Sequence, residues 1–169
     1  MKVVETERLV LRRVTHEDAA FILGMLNEPA WLRFIGDRGV RTLEGAHDYI
    51  TNVPLTQYAQ LGYGLYLVEG RQDGMPMGLC GLLKRDSLEH PDIGFAFKPA
   101  YWSQGYAREA AEAVLRHARE DHGIARVAAI VSKDNVSSIK LLEKMGLRFE
   151  RHMRLPGATE EISLYLTAP

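Results

Sequence analysis

The stretch Phe95-Ala-Phe-Lys-Pro-Ala-Tyr-Trp-Ser-Gln-Gly-Tyr-Ala-Arg-Glu109 runs from an apolar strand pattern through a short loop with one glycine straight into a helical pattern. Such a junction has the outline of an anion site. The first N–H groups of a helix have no internal partner and sit at the positive end of its dipole, so a diphosphate satisfies several at once. Gly105 permits close approach, Ala107 offers little obstruction, and Gln104 and Arg108 add side-chain donors. Tight packing of the helix on a sheet would explain Gly105 and Ala107 equally. A second segment, Ser132 to Phe149, sets Ser138, Leu141, Leu142 and Met145 at i, i+3, i+4, i+7, which places a hydroxyl on an otherwise apolar stripe. Asn135 stands at its start as a helix cap or a ligand donor, and Ser138 could instead bond a carbonyl one turn back. No Gly-x-x-x-x-Gly-Lys-Ser/Thr and no Gly-x-Gly-x-x-Gly run is present, so ATP and NAD cradles are set aside.

These groups need a scaffold. Arg8 to Val14 reads as a strand. Thr15-x-x-Asp18 has capping-box spacing and opens a helix over Ala19, Ile22, Leu23 and Leu26 that Pro29 ends; Thr42 opens another, reaching Val53 before Pro54. Tyr63–Glu69 and Met77–Lys84, separated by Arg71-Gln-Asp-Gly74, read as a hairpin, and Asp92–Phe97 completes an antiparallel meander. Small residues Ala107, Ala110, Ala111, Val114 and Ala118 then mark a helix ending near Gly123. A strand over 126–131, a helix over 135–145 and strands over 147–155 and 161–166 follow. The order βααβββαβαββ predicts one mixed α/β (α+β) domain over residues 1–169, with a mostly antiparallel sheet of about seven strands and four helices.

Composition narrows the function. With 169 residues, 21 Lys plus Arg against 22 Asp plus Glu and a net charge of −1, the chain lacks the basic excess of a general nucleic-acid binder. A hydrophobic fraction of 46% and a charged fraction of 25% suit a folded globule. The single Cys80 cannot form an internal disulfide, and neither a membrane span nor a signal peptide is visible, so a cytoplasmic setting is expected.

In this order, Phe95-Ala-Phe97, Gly105-x-Ala107, Asn135-x-x-Ser138 and Glu143-Lys-Met-Gly146 resemble the acetyl-CoA site of the GNAT superfamily of N-acetyltransferases. Thr6-Glu-Arg-Leu-Val-Leu-Arg12 with Asp18-Ala19 is similar to its ribosomal-protein N-terminal acetyltransferase (RimJ/RimL-like) branch. The resemblance implies a GNAT fold and acetyl-CoA as co-substrate, with no metal. Phe95, Ala96 and Phe97 would offer edge groups to the pantetheine arm beside a splayed sheet, and Ser103, Gln104, Gly105, Tyr106, Ala107 and Arg108 would wrap the pyrophosphate. Asn135 would bond the pantetheine, and Ser138 would lie near the thioester sulfur. The partners implied are acetyl-CoA and an amine acceptor, for a monomer or homodimer that binds neither nucleic acid nor membrane.

Three positions depart from the pattern. Trp102 stands where many members have Gln or Arg, Leu142 where many have the Tyr that protonates the departing thiolate, and Ile130 where many N-terminal acetylating members have Glu. Asp92 is the expected substitute base, with Glu69, Glu160 and Glu161 as rivals and a solvated residue after Pro91 as the plain alternative. Ser138 is the substitute acid or donor to sulfur. An α-amine, with a pKa of about 7.7–8.0 against about 10.4 for Lys, needs the weaker base. The expected reaction is therefore acetylation of an N-terminal α-amine, with a small amine or polyamine as the alternative acceptor and a non-catalytic acyl-CoA sensor as the alternative class. Cys80, between glycines in an apolar strand, is expected to be inert. His117 and His122, five apart, do not share a helix face, so no metal centre is expected. Trp31, Phe34 and Ile35 lie in a connection that would wall the acceptor groove or simply pack.

Overall fold

Apolar residues line the first two strands of the computed structural model, which describes residues 1–168. Strand β1 (Lys2–Glu5) pairs antiparallel with β2 (Leu9–Arg13), whose Leu9 and Leu11 are fully buried. At Thr15 the expected capping box forms: Asp18 Oδ2 accepts from the Thr15 amide at 2.8 Å, and a 3-10 turn leads into α1 (Ala19–Leu26). Asp18 also takes a two-point contact from Arg12, at 2.8 and 2.9 Å, and Arg12 Nε reaches Glu69 at 3.0 Å, which ties α1 to the sheet.

Pro29 both ends α1 and starts a short helix the periodicity does not predict, α2 (Pro29–Phe34), because proline at the first helical position loses no bond. Helix α3 (Leu43–Ile50) is capped by Thr42, whose Oγ1 accepts from Gly45 N at 3.0 Å. Pro54 does not stop it. The chain widens into a π turn over Thr51–Leu55 and continues as α4 (Thr56–Leu61), closed by Gly62.

The meander is as expected: β3 (Leu65–Gly70), β4 (Pro76–Leu83) and β5 (Asp92–Phe97). Then come α5 (Tyr106–His122), β6 (Ala128–Ser132), α6 (Val136–Lys144), β7 (Arg148–Met153) and β8 (Ile162–Leu166). The eight-stranded order is β1-β2-β3-β4-β5-β6-β8-β7. The count exceeds the expected seven strands and four helices because β1, α2 and α4 are too short to show a period. Every neighbour pair is antiparallel except β5 and β6, which run parallel and meet at one position, Asp92 opposite Ala128. Ile93, Phe95 and Phe97 face α5 and pack with Ala110, Ala111, Val114 and Ala118, while Leu67 and Leu79 on the other face meet α1 and α3.

Backbone crowding around β4 is tight. A Cβ on Gly81 would run into the Gly64 carbonyl oxygen and come within 2.8 Å of Leu65 Cα, both of them backbone atoms. Gly81→Ala is expected to destabilise by about 2 kcal/mol, read as a lower midpoint in urea at unchanged slope.

Candidate active site

Past Asp92 and Ala128 the two parallel strands diverge. The edge of β5 from Gly94 to Phe97 and that of β6 from Ile130 to Ser132 are left without each other as partners. The closed end of this wedge is fastened by Ala128 N donating to the Pro91 carbonyl at 2.8 Å. At its wide end the chain leaves β5, and Trp102 Nε1 donates to the Phe97 carbonyl at 2.7 Å, so this departure from the family pattern finishes the strand. Ser103 (φ 61°) and Gly105 (φ 83°) both take left-handed backbone, which winds the loop tightly onto α5. The first internal bond of α5 is Glu109 N to the Gly105 carbonyl, 3.1 Å, and among the described residues the amides of Tyr106, Ala107 and Arg108 at the helix start have no partner. An extended ligand with an anionic head fits: the strand edge supplies backbone partners for its body, and the amides supply donors for its charge.

Two further predicted residues stand just past the β6 edge, where Asn135 N donates to the Ser132 carbonyl at 3.0 Å. Asn135 caps α6, its Oδ1 accepting from Ser138 N at 3.3 Å, and keeps its side-chain N–H groups for another partner. Ser138 is half-buried, as its stripe position required, and its hydroxyl enters no hydrogen bond among the described residues. Two loop donors are already engaged. Gln104 Nε2 bonds the Ala100 carbonyl at 2.8 Å, and Arg108 Nε pairs with Glu112 at 2.7 Å. Leu142 is 2% exposed in the main core, and Ile130 packs with Leu164 on the opposite sheet face, so neither departure is offset at its own position.

Asp92 is not a solvated residue; it is 1% exposed, at the closed end of the wedge, on the sheet face opposite α5. Arg85 Nε lies 3.3 and 3.4 Å from its two oxygens. Burial pushes its pKa up to about 6, outweighing the downward pull of Arg85 and Lys84. The rivals stand apart from Asp92. Glu69 lies on β3 and is held by Arg12, whereas Glu160 and Glu161 line a groove beside α2 and Ser132, with Glu161 taken by Lys133 at 3.1 Å. Across the mouth of that groove Ser132 Oγ donates to the Phe34 carbonyl at 3.3 Å, so the connection expected to wall an acceptor does border the wedge. Its charged lining balances Arg33, Lys133 and Arg154 against Asp134, Glu160 and Glu161.

Cys80 is fully buried, and desolvation pushes its thiol far up, which leaves it unreactive. The imidazoles of His117 and His122 meet despite their spacing, Nε2 to Nε2 3.2 Å, with His122 edge-on to Tyr63 and His117 edge-on to Tyr66. Among the described residues no three His, Cys, Asp or Glu side chains gather in a metal-holding group. Among the described residues no helix is long and apolar enough to cross a membrane.

The residue that sequence reasoning passed over is Arg8, whose side chain reaches the loop before α5 from the turn between β1 and β2. The motif Thr6-Glu-Arg8 carried a signal, but nothing in the spacing showed where it lands.

Known proteins share this chain's sequence pattern and its fold. Residues 8–148 match the sequence model of the acetyltransferase (GNAT) domain. An uncharacterized N-acetyltransferase of Bacillus subtilis, YnaD, is 36% identical over 147 residues, covering 87% of this chain and 83% of that protein. The solved GNAT-family acetyltransferase from Bacillus anthracis superposes with a TM-score of 0.80 at 23% identity, covering 98% of this chain and 97% of its own. A RimL ribosomal L7/L12 alpha-N-protein acetyltransferase, solved with coenzyme A, gives 0.81 at 17% identity, covering 98% and 97%. At these identities the two solved structures speak for the fold.

Proposed function

Since the chain belongs to the acetyltransferase (GNAT) domain family, and is thus an acyltransferase, we propose that it acetylates a primary amine, first of all the N-terminal α-amine of a protein or peptide, in a ternary complex with acetyl-CoA. The observation that carries this reading is the wedge: an unpaired β5 edge running from a buried carboxyl at its closed end to unpaired helix amides at its open end. Acetyl-CoA supplies the acetyl thioester. The edge from Phe95 to Phe97 holds an extended pantetheine arm as an added strand, with Asn135 as a further donor, and residues 103–108 receive the pyrophosphate. Asp92 accepts the proton of the attacking amine, directly or through one water, and its pKa near 6 suits an α-amine better than a lysine. The free hydroxyl of Ser138 donates to the departing sulfur. Positioning the amine against the acetyl carbon supplies much of the rate.

A balanced groove does not present the acidic lining that a polycation needs, which favours a peptide terminus over a polyamine. Acetyl-CoA is expected to raise the thermal midpoint. Thiol release across a peptide panel is expected with free N-termini and absent with blocked ones. Release only from blocked peptides carrying Lys would overturn the acceptor, and binding without any release would point to a sensor.

A further inference from the structure

The loop that starts α5 does not hold its shape alone. Arg8, in the turn between β1 and β2, donates from Nε to Glu109 Oε1 at 2.7 Å and from its backbone N to Oε2 at 3.0 Å, while Thr6 Oγ1 meets Oε2 at 2.5 Å. Its Nη1 donates to the Gln104 carbonyl at 3.1 Å, and the guanidinium lies 4.2 Å over the Tyr106 ring. One donor group is left over. Nη2 makes no hydrogen bond among the described residues, and it stands 3.3 Å from where a Cβ on Gly105 would be. A cation locked on three sides, with its fourth edge beside the unpaired amides of α5, is pre-organised to receive an anion.

We infer that Arg8 is a further cofactor-binding residue: the Glu109 and Gln104 contacts fix its guanidinium, and Nη2 donates to a phosphoryl oxygen of the coenzyme A diphosphate at the start of α5. This rests on the acetyl-CoA reading above. It also supplies a side-chain donor where loop residues have theirs engaged. Gln104 is spent on Ala100 and Trp102 on Phe97, so the fixed cation arrives from a distant turn.

The discriminating pair of probes is coenzyme A and pantetheine, which lacks the diphosphate and nucleotide. By calorimetry, Arg8→Gln should raise the Kd for coenzyme A roughly tenfold, the loss of one charge-assisted hydrogen bond. Arg8→Lys should recover part of it, since charge returns without the fork. Pantetheine binding, followed by amide chemical shifts, should change by less than about twofold. Two results would overturn the assignment: coenzyme A affinity equal to wild type in Arg8→Gln, or equal weakening of both probes, which marks a merely structural clasp. Arg8→Lys read against the same two probes decides the matter if Arg8→Gln fails to fold. Absence of coenzyme A binding by the wild type would instead remove the acetyl-CoA reading itself.

Discussion

Asp92→Asn is expected to lower turnover about a hundredfold at pH 7, the usual contribution of a positioned general base. The pH profile is the sharper readout. In the wild type, kcat/KM should fall as pH drops through about 6, where burial has placed the Asp92 carboxyl. In the Asn variant that limb should vanish, and the deficit should shrink at high pH as the amine acceptor loses its proton unaided. An unchanged limb near pH 6 would remove Asp92 from the role. Stability moves in a direction that separates this from damage to the fold. The folded pKa, about 6, lies above the ordinary 3.8, so between these values the native state binds more protons than the unfolded chain. Ionising Asp92 therefore costs stability, and this group's contribution declines as pH rises from about 4 to about 6. Asp92→Asn should lack that decline and remain folded at neutral pH, as urea titrations at several pH values would show.

Gly105→Val should raise the Kd for acetyl-CoA about a hundredfold, from left-handed backbone strain together with a lost phosphate contact. Gly105 holds φ at 83°, and its missing side chain leaves room for Arg8 Nη2. A β-branched residue there opposes the conformation and pushes on the guanidinium, so the loop unwinds and the amides of residues 106–108 lose their common aim. Calorimetry with acetyl-CoA checks the binding loss. Thermal unfolding without ligand should shift much less, since a side chain at Gly105 would meet only Arg8 Nη2.

Residues that act on their immediate neighbours were readable in the sequence. Thr15 and Thr42 cap what they were expected to cap, Asp-Gly turns the hairpin between β3 and β4, Asn135 begins α6, and Gly105 begins α5. Proline was read by its usual effect, which held for the end of α1 before Pro29 and misled at Pro54, because its meaning depends on position. At Pro29 it opens a helix, and at Pro54 a π turn absorbs it. What stayed hidden is non-local. Spacing placed Asp92 at the head of a strand but could not show that Ala128 on β6 would cover it, nor that Arg8 and Glu109, about a hundred residues apart, would meet. The wedge itself leaves no local mark, since a strand that diverges from its neighbour has the same alternation as one that does not.

The single register pair joining β5 to β6 has a mechanical consequence. Strands β1–β5 form one plate and β6–β8 another, riveted at Asp92 and Ala128 and glued mainly by the side chains beneath α5 and α6. On the proposed reading, an extended pantetheine arm lying in the gap would bond along the seam and stiffen it. The molecule would then be most compliant with the gap empty, and part of its rigidity during catalysis would belong to the co-substrate it holds.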